Sequence, residues 1–414
     1  MKLSQANRDR ILNLSGPLIF SGSGFFASFL VQRASSLHDF GVFAFVQVVL
    51  ATGMALSNGL VTVPAASQIA QGGLFDDVER VFVPTVWGIS LMGSLMLIPV
   101  IWSAGASSGV LVASALLALA TWSRYAFRAL ALVGQQRKEA RNSDVAYGLV
   151  YCLLLVGAAI IRLESIVWFL TLQIFASILS GIPIRQVWLR LPNFSRDCYI
   201  SYVARFKRTG AGSLLSSIFG QISSSSHAYL TTLFLSPAAF APIALATLTF
   251  RPLGVVLTGV MQFETPRIAA SLRDQSDQSS IIKLLRDLFF IMAIVWVLNC
   301  LLAFPIAYWS DRLFASRGYE ASQVRIAIFL MAILVFFRAL REPHTALLAV
   351  SGANLHLAKF SGICSVLTLS LVIIFALTFK NNSPLTILGP VIGEIVNFLA
   401  VLSLSRRRFA SAVS

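Results

Sequence analysis

Apolar residues run along this chain in long blocks separated by short polar gaps. A membrane-crossing helix needs about 20 apolar residues, because each adds about 1.5 Å against roughly 30 Å of hydrocarbon. Blocks of that kind fall at 11–31, 40–62, 81–102, 108–128, 144–161, 166–184, 209–234, 240–263, 287–308, 323–345, 359–379 and 385–404. The pattern predicts an all-α integral membrane protein with about twelve transmembrane helices. The block at 209–234 is the most polar of them. The first block follows Lys2, Arg8 and Arg10 and is longer than the 7–15 residues typical of a cleaved signal core, so a retained first span is expected.

The blocks divide into six and six around the longest interruption. The expected organisation is an N-terminal six-helix half at 1–184, a basic linker at 185–208 and a C-terminal six-helix half at 209–414. Fragments of the halves match. Phe40 and Gly59 in the second block align with Phe240 and Gly259 in the eighth, and each block reaches a proline, Pro64 or Pro266. Phe127-Arg128-Ala129-Leu130 aligns with Phe337-Arg338-Ala339-Leu340. Two parallel six-helix repeats flanking a central cavity form a common architecture of alternating-access transporters.

Composition agrees with that class. Of the 414 residues 57% are hydrophobic and only 12% charged, with a mean hydropathy of +0.80. Soluble domains carry roughly 25% charged residues. The net charge of +15 would raise nucleic acid as a partner in a soluble protein. Here the basic residues sit in short gaps between spans, so anionic membrane lipids are expected instead, and no nucleic acid. With the N-terminus placed in the cytoplasm, 24 of the 32 Lys and Arg residues fall on that side and only six outside. The bias puts both termini inside and supports an even number of spans. The linker mixes Arg185, Arg190, Arg196 and Arg205 with Trp188, Phe194, Tyr199, Tyr202 and Phe206, the mark of a segment lying on the membrane surface. Cys152, Cys198, Cys300 and Cys364 show neither metal nor disulfide spacing and are expected as small buried hydrophobes.

A charge at bilayer depth costs several kcal/mol and so faces a cavity or a partner. Arg251 lies about 16 Å into the eighth block and is followed by Pro252. Its fixed planar charge suits phosphate oxygens, or else a buried carboxylate. Glu394, within the twelfth block, is the candidate for that carboxylate, as a structural partner or as a proton-coupling group. Arg338, Arg341, Glu342 and His344 cluster near the end of the tenth block, where Arg338 and Glu342 have the spacing for a pair on one helix face. Arg124 and Arg128 are their counterparts in the fourth block, with headgroup anchoring or local pairing as the plain roles. The seventh block carries Gln221, four serines at 223–226 and His227, and the second block carries Gln47 and Asn58. These are candidate cavity residues, and close helix packing is the competing role for the serines. No phosphate-binding loop, HExxH or GxSxG motif occurs, so no catalytic residue, metal or cofactor is expected.

Several stretches resemble the Wzx-type polysaccharide flippases of the multidrug/oligosaccharidyl-lipid/polysaccharide exporter superfamily. They are the loop Ser35-Ser36-Leu37-His38-Asp39-Phe40-Gly41, the basic turn from Arg128 to Asp144, the exit Phe263-Glu264-Thr265-Pro266-Arg267 and the turn from Leu347 to Lys359. The resemblance covers essentially the whole chain. It implies export of a polyprenyl-diphosphate-linked oligosaccharide across the bacterial inner membrane, through a cationic cavity lined mainly by the first, second, seventh and eighth helices. It also implies a polysaccharide polymerase and chain-length machinery as protein partners. Two other readings stand beside it. A cation-coupled multidrug exporter of the same superfamily would need a buried acidic site. A membrane polysaccharide polymerase, which is an enzyme, would need a large outside loop.

Overall fold

The computed structural model describes residues 5–70, 72, 74–188, 194–273, 278–314, 318–351 and 353–411. Lys2, Arg190 and Arg317 lie outside the described residues, as do the side chains of Arg8, Arg10, Phe263, Thr265, Pro266, Arg267 and Arg408.

All regular structure among the described residues is helical. The chain divides into two compact units, Met1–Ile218 and Phe219–Ser414. The first holds α1 (Gln5–Ala34), α2 (Leu37–Ser57), α3 (Val63–Ala70), α4 (Phe75–Ser103), α5 (Ser108–Val133), α6 (Arg137–Ile160), α7 (Ile166–Leu179), α8 (Arg185–Trp188) and α9 (Arg196–Arg205). The division falls inside α10 (Ala211–Leu230), a helix that the sequence assigns wholly to the second half. The second unit continues with α11 (Pro237–Arg273), α12 (Gln278–Tyr308), α13 (Ser310–Phe314), α14 (Ala321–Val350), α15 (Asn354–Thr378) and α16 (Leu388–Ser411). Nine helices among the described residues are long and apolar enough to cross a membrane. The three other expected segments, 11–31, 209–234 and 240–263, are helical in α1, α10 and α11.

Local chemistry sets several boundaries. The Ser36 hydroxyl accepts from the Asp39 backbone N–H at 3.1 Å and starts α2. Ser236 accepts from the Ala239 N–H at 3.0 Å, and Pro237 occupies the first position of α11, where its missing N–H costs nothing. A wide helical turn at Asn58–Thr62 carries α2 into α3.

Each unit buries its faces by the same order of neighbours. In the first, α5 packs on α2, α4 and α7, and α6 packs on α1 and α7. In the second, α14 packs on α11, α12 and α16, and α15 packs on α16. α10 meets α15 through a 2.9 Å hydrogen bond between the Ser223 and Ser365 hydroxyls. Trp122 of α5 shows why small residues recur in the spans. A Cβ on Gly53 or Gly93 would lie 2.0 or 2.6 Å from its ring, and its indole N–H donates to the Leu50 carbonyl at 2.9 Å. Outward faces are apolar instead. Leu91, Met92, Leu95 and Met96 on α4, and Ile294, Leu298, Leu301 and Leu302 on α12, are more than half exposed, as lipid-facing stripes must be.

Two short helices, α8 and α9, fold within the linker, and Cys198 and Tyr202 of α9 bond to the Arg80 and Leu60 carbonyls. Cys198 and Cys364 are buried as expected, whereas Cys152 and Cys300 are half-buried; all four are free thiols.

Candidate functional site

Each unit holds an ion-paired cluster between its helices. In the first, α5 places Arg124 and Arg128 on one face, four residues apart. α6 begins at Arg137, so Asp144 stands about two turns inside the helix rather than at its mouth. Arg124 donates from Nη2 to Asp144 Oδ1 at 2.9 Å, and Arg128 donates from Nε to Oδ2 at 2.6 Å. Arg124 also donates to the Ser143 carbonyl at 3.2 Å. Its guanidinium lies 5.2 Å from the Phe20 ring centroid and 4.7 Å from that of Tyr147. Arg124 is 1% exposed and Asp144 3%. Headgroup anchoring is therefore excluded for Arg124, and the pairing is between helices. Two guanidiniums share one carboxylate, which leaves a net positive charge inside the unit. Arg128, with 19% of its side chain exposed, is the member that solvent or a ligand can reach.

Two polar contacts fix α2 nearby. Gln47 and Gln173 exchange side-chain amide hydrogen bonds at 3.0 and 3.4 Å, tying α2 to α7. Asn58 Oδ1 accepts from the Tyr125 hydroxyl at 3.3 Å. Both expected cavity residues thus serve as helix-to-helix contacts.

In the second unit, Arg341 of α14 donates from Nε to Glu394 Oε1 of α16 at 2.5 Å. Glu394, the carboxylate that the sequence offers to Arg251, thus accepts from Arg341, a residue the sequence places only in the basic cluster of the tenth block. Glu342, expected to pair with Arg338, is reached by Arg341 at 3.4 Å. Arg338 is half-buried and is the charged neighbour of His227, which is 6% exposed and whose Nδ1 has no hydrogen-bond partner among the described residues. On the same helix as His227, Gln221 Oε1 accepts from Ser225 at 3.3 Å. Arg251 is half-buried on α11, and Pro252 beside it is exposed.

Sequence reasoning missed Asp144. One signal is an acid followed by an apolar block, which puts the start of the helix at residue 144 itself. The i,i+4 pair of arginines directly upstream was the stronger hint, because two buried guanidiniums require an acceptor.

No family model matches the sequence, and no curated protein matches it. Solved structures do match in fold. An inward-facing multidrug resistance MATE family transporter of the MOP superfamily aligns with a TM-score of 0.68 and 16% identity, covering 97% of this chain and 98% of that one. The lipid II flippase MurJ, in an inward closed conformation, aligns with a TM-score of 0.64 and 15% identity, over 96% and 87%. A MOP superfamily transporter from Pyrococcus furiosus, described by the reverse polarity of its binding pocket, aligns with a TM-score of 0.61 and 12% identity, over 97% of each chain. The chain thus has the membrane-transporter fold that these proteins share.

Proposed function

We propose that the chain is a flippase that moves a polyprenyl-diphosphate-linked oligosaccharide across the bacterial inner membrane for surface polysaccharide synthesis. The fold is common to drug exporters and to a lipid flippase, so it does not choose between them. The sign of the charge inside the spans supports the flippase. Arg124, Arg128, Arg251, Arg338 and Arg341 stand against Asp144, Glu342 and Glu394. Of the three buried carboxylates among the described residues, Asp144 and Glu394 are paired with arginine, at 2.9 and 2.5 Å, and the third, Glu79, lies in the second turn of α4. A cation-coupled exporter of cationic drugs needs a buried carboxylate open to a proton, a metal ion or the drug. A diphosphate headgroup needs the opposite: fixed guanidiniums that replace its hydration shell.

The glycan and diphosphate would face a prohibitive barrier in hydrocarbon, whereas the polyprenyl tail can remain in lipid throughout. Alternating access of a cationic site meets both needs. The chain belongs in the inner membrane with both termini on the cytoplasmic side, on the loop-charge evidence. Polymerase and chain-length proteins that take up the flipped product are its natural partners, and it performs no bond chemistry itself.

Arg251 supplies the test within cells. A hydrogen bond to a charged group is worth about 1.5–3 kcal/mol. Arg251→Ala is therefore expected to lower glycan export at least about tenfold at wild-type membrane abundance. Arg251→Lys keeps a point charge for phosphate and should retain part of the export. Wild-type export by Arg251→Ala at equal abundance contradicts the assignment.

A further inference from the structure

Among the described residues, α9 bonds to α4 and to the turn at Asn58–Thr62 through Cys198 and Tyr202. Ser195 caps it, accepting from the Cys198 N–H at 3.2 Å. The Cys198 thiol donates to the Arg80 carbonyl at 3.7 Å, and the Tyr202 hydroxyl donates to the Leu60 carbonyl at 3.1 Å. The Tyr202 ring stands edge-on to Phe82, with centroids 5.8 Å apart. Burial pushes the Tyr202 phenol up to about 12, so it remains a protonated donor at physiological pH. Away from these contacts the described residues are exposed: Phe194, just before α9, is 70% exposed, Tyr199 69% and Ile200 54%. Arg196 on α9, and Lys207 and Arg208 in the turn that follows it, are exposed too, against Asp197 as the one acid of residues 194–208.

The level of this face follows from α4. Arg80 lies near one end of α4 and Trp102 near the other, and the exposed Leu91, Met92, Leu95 and Met96 lie between. The 22 residues from Arg80 to Trp102 rise about 33 Å, close to the roughly 30 Å of hydrocarbon. Arg80 therefore stands at the boundary between hydrocarbon and headgroups. α9, bonded to its carbonyl, lies at the headgroup level.

We propose that the exposed face of α9 is an in-plane anchor that binds anionic phospholipid headgroups. Aromatic rings are most stable at that depth, and the three cations meet lipid phosphates there. The charge selects anionic over zwitterionic lipid, because each cation near such a surface contributes about fivefold in affinity. The anchor concerns the surrounding bilayer, not the transported molecule, and is independent of the flippase proposal. It ties the lipid surface to the turn at Asn58–Thr62, since Tyr202 holds Leu60 within that turn.

The full-length protein in phosphatidylcholine nanodiscs, with and without phosphatidylglycerol, tests this. Lipid retained per protein is counted by native mass spectrometry. The wild type is expected to retain phosphatidylglycerol in preference. The triple change Arg196→Gln, Lys207→Gln and Arg208→Gln should weaken that retention about a hundredfold. High salt should weaken it in the wild type. All three side chains are exposed, so the fold is kept. Independently, the added emission of Tyr199→Trp should be quenched by lipid brominated just below the headgroup and not by aqueous acrylamide. Wild-type retention in the triple variant overturns the proposal. Acrylamide quenching at position 199 also overturns it, and is the result expected of a face reserved for a soluble protein.

Discussion

Asp144→Asn is expected to destabilise the protein by about 3–5 kcal/mol, the cost of removing one partner from a buried ion pair. The change is nearly isosteric, so packing is conserved and the loss is electrostatic. Arg124 and Arg128 would face each other without the carboxylate that now separates them at 2.9 and 2.6 Å. Arg124 has no escape to water, being 1% exposed. The measurement is the melting temperature in detergent together with abundance in the membrane. Arg128→Gln is the contrasting variant. It leaves the Arg124–Asp144 pair intact and removes a side chain that is 19% exposed, so the melting temperature should fall far less. If Asp144 were instead an ion-coupling group, Asp144→Asn would keep normal abundance and stability and lose transport. That result would sink the structural role given to the cluster.

Glu394→Gln should cost less, about 1.5–3 kcal/mol, the range of a hydrogen bond to a charged group. Glutamine can still accept from Arg341, and Glu342 remains within 3.4 Å of that guanidinium. Protein level should fall more than transport per molecule. Arg341→Met should destabilise more than Glu394→Gln, because it leaves a carboxylate that is 5% exposed without its cation. Combining Arg341→Met with Glu394→Gln should recover most of the loss, the pattern of a coupled pair in a double-mutant cycle. A Glu394→Gln protein with wild-type abundance and no proton-dependent transport would defeat this account and favour the drug-exporter reading.

The spans were legible because one physical length governs them. The hydrocarbon thickness demands about 20 mainly apolar residues, and α4, α5, α6, α12 and α14 each carry a block close to that length. Pairing was not legible, because it depends on where a helix begins. Starting α6 at Arg137 rather than at 144 moves Asp144 from a loop mouth to the interior. Depth alone makes Glu394 a candidate partner for Arg251, yet depth says nothing of which helix faces which. The contact between α14 and α16 is what brings Arg341 to that carboxylate. Gln47 and Asn58 show the same limit: polarity marked them, and only the positions of Gln173 and Tyr125 reveal how they are used.

The central claim is that this fold carries an anionic lipid headgroup, and translocation in purified vesicles tests it most directly. The protein is reconstituted into liposomes with a fluorescent polyprenyl-diphosphate oligosaccharide, and access of the label to an external quencher is followed over time. A cationic dye under an imposed proton gradient serves as the parallel substrate. The account predicts protein-dependent exchange of the diphosphate lipid between leaflets, slowed at least about tenfold by Arg251→Ala, and no gradient-driven movement of the dye. Gradient-driven export of the dye, with the diphosphate lipid left on its original leaflet, would contradict it.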